Sequence, residues 1–442
     1  MRLAFFEDRR VDGLAPLALL RPACEIVCGQ WSARERAVRT LGPVEWGLFA
    51  RPHLAETYRE AHPEAVVNDL PWLQRGPTLL LNSRWVCDAA ELAAIRPDET
   101  GVVDGEVAFV TVDPAEVPLA EVGDTTGGDT EPFVSRVARL RSSRRLAGGK
   151  LARHPWDTVE WNGRQLAKDF LADQLARTSP GGTTLSHRDR PDIAILGDRD
   201  QVFIEQDAEI EPYVVLDVRR GPVTIGSRAV VQAFSRIEGP CFIGADSQLF
   251  RANIRGGTTI GPVCRVGGEV EASILHAHVN KYHDGFLGHS YICPWVNLGA
   301  QTANSDLKND YTPVRLPSDG GGVDTGLVKV GCFVGDHTKT GLGSLINTGS
   351  VIGAMCMILP AGGLLPRSIP SFAAVWHGAI ADRFPLDRSI GAAKAAMERR
   401  NVDLTPAMER LLRHVHRESA AAREAAIAKS QHGHRTLQEA PR

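Results

Sequence analysis

The chain has 442 residues, 43% of them hydrophobic and 23% charged, with a formal net charge of −3 at pH 7. That length exceeds one ordinary core and predicts two or three domains. The weak negative balance excludes the basic footprint of a nucleic-acid binder. Glycine is abundant at 43 residues, proline stands at 27, and aromatics make up only 6%, a mix suited to tight repetitive turns. The eight cysteines are dispersed without a C-x-x-C pair, so neither a zinc ribbon nor a disulfide scaffold is expected. Several fall where a short repeat wants a small residue and read as buried thiols. Glu7 and Asp8 arrive before an apolar signal core can form. No apolar run approaches the ~18 residues of a membrane span, and the expected location is cytoplasmic.

Residues 1–177 alternate short apolar runs with polar, helix-like segments. Leu3 to Phe6, Thr78 to Asn82 and Val107 to Val112 read as buried strands. Ser32 followed by Glu35 is a helix start signal for the segment ending at Leu41, and Leu54 to Ala61 reads as a second helix. Strands separated by helices predict an α/β layer with a largely parallel sheet. Ligands of such sheets sit outside the carboxyl ends of the strands, which points to Glu7, Asp8, Asn82, Ser83, Arg84 and Asp88. Residues 123–130 read as a loop and residues 166–171 as part of a helix closing the domain. Residues 178–203, rich at first in Ser, Thr, Pro, Gly and charge, are expected to form a linker.

From Ile204 the period changes. Aliphatic residues recur every six positions at Ile204, Ile210 and Leu216, then at Ile225, Val231, Ile237, Ile243 and Leu249. After a one-residue slip they resume at Ile254, Ile260 and Val266, and they return at Leu287, Ile292 and Leu298. A last run is Val328, Val334, Thr340, Ile346, Ile352 and Ile358. Three six-residue sides make one coil of a left-handed parallel β-helix, with the aliphatic residue inside and a small residue at the corner. Six-residue repeats are a β-helix pattern, and stacked coils bury one continuous core. The predicted β-helix covers residues 204–380. Residues 313–325, with Gly320 to Gly322, break the rhythm and are expected to project as a loop. Residues 381–442 read as a helical extension, in Ser389 to Arg400 and Thr405 to Lys429. Its stripe of Leu411, Leu412 and Val415 is expected to pack on the solenoid or on a neighbouring subunit, and the end after Gln431 is expected to fray.

A polar stretch from Lys281 to His289 interrupts the solenoid, and four histidines lie in or near it: His276, His278, His283 and His289. Imidazole suits zinc, but strand alternation puts His276 and His278 on one face and His283 on the other. A solenoid histidine is usually a surface or corner residue, which is the reading for His276 and His278. An imidazole with a pKa near 6.5 can accept the proton of an amine attacking a thioester at neutral pH. His283 is therefore the candidate general base for acyl transfer to a sugar amine.

Ordered motifs make the reading specific. Ile254-Arg255-Gly256-Gly257-Thr258, Arg265-Val266-Gly267 and Val270-Glu271 resemble L-R-P-G-T…R-V-G-x-x-V-E. His283-Asp284-Gly285-Phe286-Leu287-Gly288 resembles H-L-T-Y-L-G, and Val296-Asn297-Leu298-Gly299-Ala300 resembles V-N-I-G-A. These are motifs of the GlmU-like bifunctional family, glucosamine-1-phosphate N-acetyltransferase and N-acetylglucosamine-1-phosphate uridyltransferase, and the resemblance covers residues 220–370. It implies His283 as general base, Arg255 as sugar-phosphate anchor, Glu271 and Asn297 at the sugar, and Ala300 in an acetyl-CoA cleft between subunits of a homotrimer. An anionic phosphate needs a fixed cation, for which Arg's forked donors are suited. The family's Tyr falls on Phe286 and its Lys on Ser273; Lys281 is the candidate substitute for that Lys, and Asp336 a candidate on the acyl-donor side.

In the N-terminal half the Gly-rich loop of sugar nucleotidyltransferases, whose amides hold phosphates, is absent. Phe6-Glu7-Asp8, Pro16-Leu17, Arg21-Pro22, Glu25 and Gly29 instead resemble L-F-E-D…P-L…R-P…E-L…G of a variant branch with an altered, Rossmann-like nucleotidyltransferase domain. That resemblance implies Arg21 as a phosphate ligand and Glu7 or Asp8 as a magnesium ligand. The usual strand-end G-D falls on Asn82-Ser83, which lacks the carboxylate that magnesium prefers. The implied activity is acetyl transfer from acetyl-CoA to an amino-sugar phosphate, followed by nucleotidyl transfer from a nucleoside triphosphate. The alternatives are a nucleotidyltransferase with the β-helix as trimerisation scaffold or sensor, and a non-catalytic sugar-nucleotide binding protein.

Overall fold

The structure, a computed structural model, describes residues 2–116, 131–177, 190–318 and 321–439. The chain divides into two units, one of Met1–Val27, Trp31–His154 and Pro406–Leu411, the other of Cys28–Gln30, Pro155–Thr405 and Leu412–Arg442. The loop expected at residues 123–130 lies outside the described residues.

In the first unit the sheet order is Ser142–Arg145, Glu99–Val103, Glu106–Val112, Thr78–Asn82, Arg2–Phe6, Trp46–Phe49, Val66–Val67. Arg2–Phe6 is parallel to both of its neighbours. Glu106–Val112 runs antiparallel to both of its own, so this expected strand is present but inverted. The reason is local: Asp104 and Gly105 both take positive φ, 50° and 82°, which makes a two-residue hairpin and sends the chain back along Glu99–Val103. Alternation puts Phe5, Leu79 and Leu81 on one face and Phe6, Ala4 and Leu80 on the other, and all are buried. Both faces are therefore covered, as a mainly parallel sheet requires. Ser32 and Glu35 close a reciprocal capping box at the start of Ala33–Leu41, and the second expected helix is Ala55–Ala61.

The second unit is the β-helix. Its inward column is Ile204, Ile225, Ile243, Ile260, Leu275, Ile292, Val334, Ile352 and Ile369, each in parallel register with the next. Every member is at most 2% exposed, and burying such a side chain contributes about 1.5–3 kcal/mol. The stack begins earlier than Ile204, because Ala194–Leu196, inside the expected linker, already pairs with Val215–Asp217. Between Tyr291 and its partner Phe333 the chain leaves the coil. The excursion is closed at its root by an antiparallel bridge between Leu307 and Lys329 and carries the hairpin of Arg315–Leu316 with Val323–Asp324. Val328 lies on this excursion at 43% exposed, Val330 is the first buried residue after it at 1%, and the core resumes at Cys332 and Val334.

By its contacts the helix Pro155–Arg177 groups with the β-helix unit. Its Asn162 donates to Gly257 O at 2.8 Å and to Thr259 Oγ1 at 3.0 Å, and accepts from Gly29 N at 2.7 Å. Three helices follow the solenoid: Leu386–Glu398, Pro406–Glu418 and Ala420–Glu439. Leu411, Leu412 and Val415 are buried, and Ala426 and Ile427 pack on the β-helix core. The last helix runs on past Gln431, where fraying was expected. No helix among the described residues is long and apolar enough to cross a membrane.

Candidate functional site

Outward-facing residues of successive coils stack beside one another. Register places Glu271 opposite Gly288 and Glu269 opposite Phe286. Arg255 follows the Ile254↔Val270 pair and so lies beside Glu271. Its Nη1 is 2.9 Å from Glu271 Oε2 and 3.6 Å from Glu269 Oε1. The excursion brings Lys329 to the same carboxylate, with Nζ 3.6 Å from Glu271 Oε1. The expected pair Arg255 and Glu271 is thus assembled, with a lysine that sequence reading passed over.

One coil further on, His289 Nδ1 lies 2.8 Å from Asp306 Oδ2. Burial pushes the Asp306 carboxyl up, but the His289 hydrogen bond and the charges of His289 and Lys329 outweigh it and hold the carboxyl below its usual range. Gly288 is the flat spot that lets this pair approach. A Cβ there would meet Phe286 Cζ at 2.4 Å and Asp306 Oδ2 at 2.6 Å. Asn304 clamps the glycine, accepting from its N at 2.8 Å and donating to its O at 3.0 Å. Ser273 is fully buried, donates to Glu271 O at 2.7 Å and accepts from Ser290 N at 3.0 Å. It is a rung of the interior and presents nothing to a ligand.

Lys281 is not a surface cation. It pairs with Val266, a fully buried residue of the β-helix core on another side of the coil, and is 2% exposed. Its Nζ donates to Gly267 O at 2.7 Å and to His283 O at 2.9 Å. Burial lowers its pKa to about 8 against the opposing pull of Asp284. The lysine therefore holds the corner from within and does not reach a sugar phosphate. That corner presents His283, exposed, its ring 5.0 Å from Tyr282 in an edge-on arrangement. Tyr282 in turn lies 3.7 Å from Phe250. In the next coil Asn297 Oδ1 accepts from Asn280 Nδ2 at 2.5 Å. Ala300 is half-buried. Asp336 is buried at 3% exposed, in the corner whose next residue, His337, stacks on Trp295 at 6.0 Å.

The remaining histidines are apart from this cluster. His278 stacks on Trp295 at 4.0 Å and 8°, and burial, with Arg400 and Arg265 nearby, lowers its pKa to about 4. His276 lies 6.4 Å from the Tyr291 ring. Among the described residues no group of three His, Cys, Asp or Glu is arranged to hold a metal ion.

In the first unit Phe6 and Asn82 are strand partners, so Glu7, Asp8, Ser83 and Arg84 gather at the carboxyl ends, as expected. Glu7 accepts from Ala23 N at 2.9 Å and from Arg51 N and Nε at 3.0 Å each. Arg51 also donates to Arg21 O at 3.2 Å, while Arg21 Nη1 donates to Leu17 O at 2.7 Å. Asp8 accepts from Asn82 at 2.8 Å and from Arg84 at 2.7 and 2.6 Å. Burial would raise the Asp8 carboxyl, but these donors hold it below its usual range. Both oxygens of each carboxylate face donors, two of them guanidinium groups. Glu7 and Asp8 therefore do not fit a resident magnesium ion, which needs free carboxylate oxygens.

Asp306 and Lys329, which gather beside His289 and Glu271, were not singled out from the sequence, and His289 was named only among the four histidines. The available signal was coil length: His289 and Asp306 are 17 residues apart, as are the stacked Asn280 and Asn297.

Residues 3–178 match the family model described as sugar nucleotidyl transferase. The uncharacterized acetyltransferase YaiX of Escherichia coli O6:K15:H31 (strain 536 / UPEC) is 28% identical over 170 residues, 38% of this chain and 74% of its own. A bifunctional sugar-1-phosphate nucleotidylyltransferase/acetyltransferase of Sulfurisphaera tokodaii is 33% identical over 101 residues, 23% of this chain and 25% of its own. Bifunctional protein GlmU of Jannaschia sp. (strain CCS1) is 27% identical over 235 residues, 50% of this chain and 47% of its own. The chain thus spans less than half the length of the two bifunctional relatives. Over residues 3–178 the chain is similar to sugar nucleotidyl transferases, and over parts of its length it is similar to an acetyltransferase and to bifunctional GlmU-type proteins.

Proposed function

We propose that the protein is a bifunctional enzyme of sugar-nucleotide biosynthesis that works as a homotrimer. Its β-helix moves acetyl from acetyl-CoA to an amino-sugar phosphate, and its N-terminal half moves a nucleotidyl group from a nucleoside triphosphate to a sugar 1-phosphate. The observation that supports the reading is that Arg255 and Glu271 share one column of adjacent coils, while Asn297 pairs with Asn280 in a second column and the His283 corner lies on the chain between the two, after Lys281 and before Phe286. Arg255, 42% exposed, anchors the phosphate. His283 takes a proton from the attacking nitrogen as the thioester carbonyl accepts its lone pair, and coenzyme A leaves as the thiol. Ala300 and Asn297 line the approach of acetyl-CoA and sugar. Thiol release from acetyl-CoA with glucosamine 1-phosphate and other amino-sugar phosphates tests this. His283→Ala is expected to lose about 10²–10⁴-fold in rate; full activity of that variant overturns the role of His283.

One observation favours a second reading for the N-terminal half, namely sugar-nucleotide binding without transfer: the donors that occupy Glu7 and Asp8. Pyrophosphate release with each nucleoside triphosphate and sugar 1-phosphate, in wild type and in Arg21→Ala, separates the two. Silence with every pair favours binding, and release that falls in Arg21→Ala supports transfer.

A further inference from the structure

The corner that presents His283 is built over a residue with no side chain. Phe250 pairs with Gly267, and Tyr282 follows the Val266↔Lys281 pair, so Phe250, Gly267 and Tyr282 hold the same position in successive coils. Leu249, Val266 and Lys281 are buried, and alternation along the strand turns Phe250 and Tyr282 outward. Strands two places apart in a stack stand roughly 9–10 Å from one another. The Phe250 and Tyr282 rings nonetheless meet, with centroids 3.7 Å apart, because Gly267 leaves the space between them open. A Cβ on Gly267 would lie 2.1 Å from Tyr282 O and 3.1 Å from Phe250 O, so this close approach requires glycine.

His283 is thereby held from two sides. From within, Lys281 Nζ donates to His283 O at 2.9 Å and to Gly267 O at 2.7 Å, which fixes the backbone of the corner. From outside, the Tyr282 ring meets the His283 ring at 5.0 Å and 76°. An exposed imidazole without such a neighbour turns freely about its side-chain bonds, and a base gains rate by being fixed in its working geometry. Tyr282 is itself 38% exposed and fills no core. We propose that Tyr282, seated on Phe250 across the bare face of Gly267, is a positioning residue that holds the His283 imidazole in one orientation for proton acceptance. Neither aromatic ring exchanges a proton. The inference rests on the acyl-transfer reading.

The test is thiol release from acetyl-CoA with glucosamine 1-phosphate and other amino-sugar phosphates in wild type, Tyr282→Ala, Tyr282→Phe and Phe250→Ala. Tyr282→Ala is expected to lose about 10–100-fold in kcat, with KM for acetyl-CoA and for the sugar unchanged. Tyr282→Phe, which keeps the ring, should restore most of that rate. Phe250→Ala, which removes the seat, should show a smaller loss of the same kind, and it carries the test if Tyr282→Ala melts early. In nuclear magnetic resonance of histidine-labelled protein, the His283 ring signal is identified by its loss in His283→Ala. That signal should sharpen in Tyr282→Ala toward that of a freely turning side chain; an unchanged width overturns the proposal. A raised KM for the sugar with kcat kept marks a tyrosine that touches substrate, and also overturns it. An active wild type with an equally active Tyr282→Ala overturns this inference alone. A wild type silent toward every amino-sugar phosphate overturns the acyl-transfer reading and this inference with it.

Discussion

The ammonium of Lys281 donates to two carbonyls from a site that is 2% exposed. Its folded pKa is about 8 against 10.5 for the free side chain. Between those values the unfolded chain binds more protons than the folded one, so stability rises with pH through that window. The penalty of burying the charge is present in full below pH 8 and relieved as pH approaches 10.5. The gap corresponds to on the order of 3 kcal/mol. Lys339, whose pKa burial also lowers to about 8, adds a similar contribution. Denaturant unfolding of wild type and Lys281→Met from pH 7 to 10.5 should show wild type gaining on the variant; equal slopes would refute a charged buried amine. This residue was illegible because its type argues for solvent while its register, opposite Val266, argues for the core. His283 was legible because its neighbours form an ordered motif. His289 was not, because its partner lies a full coil away.

Each coil is an element whose tolerance depends on what a side chain would strike. At Gly261 a Cβ would lie 1.8 Å from His276 O, backbone held by the ladder of the next coil. Gly261→Ala is expected to cost about 1–3 kcal/mol or more, visible as a lower denaturant midpoint. At Gly288 the same change meets only the ends of Phe286 and Asp306. Gly288→Ala should keep nearly the wild-type midpoint while displacing Asp306 from His289. Equal midpoints for the two variants would contradict this ranking. The inward column of the β-helix was readable because one position in six is aliphatic wherever the coil is regular. The six-residue count failed at Val328, where it was carried through an excursion that is not part of the coil. Parallel pairing failed for Glu106–Val112 because the hairpin at Asp104 and Gly105 outranks it.

At the scale of the molecule, the chain joins a sheet unit with a buried charge cluster to a solenoid with a surface one. Arg84 is fully buried and bonds Asp8, Glu106 and Ala152 O. Breaking such a pair typically costs 3–5 kcal/mol, because a buried charge is left unmatched. Arg84→Met should therefore speed amide hydrogen exchange in Arg2–Phe6 and Thr78–Asn82; unchanged protection there would show that the cluster is not what holds these strand ends. The strand-end rule located Glu7 and Asp8 correctly in space. Their partners were hidden, because Arg51 and Arg84 lie 44 and 76 residues away in sequence.

The bridge between Leu307 and Lys329 has a consequence for how such a protein can change. The excursion leaves at Leu307 and returns at Lys329, with Asp306 at its root, but it does not hang free: Val314 and Leu316 are 0% and 3% exposed, and Arg367 of a later coil donates to Arg315 O. Doubling a loop closed in this way costs only about 0.6 kcal/mol of closure entropy. Exchange of length or composition is therefore expected to be tolerated beyond Leu316 toward Val323, and not at Val314 or Leu316, which pack against the coils.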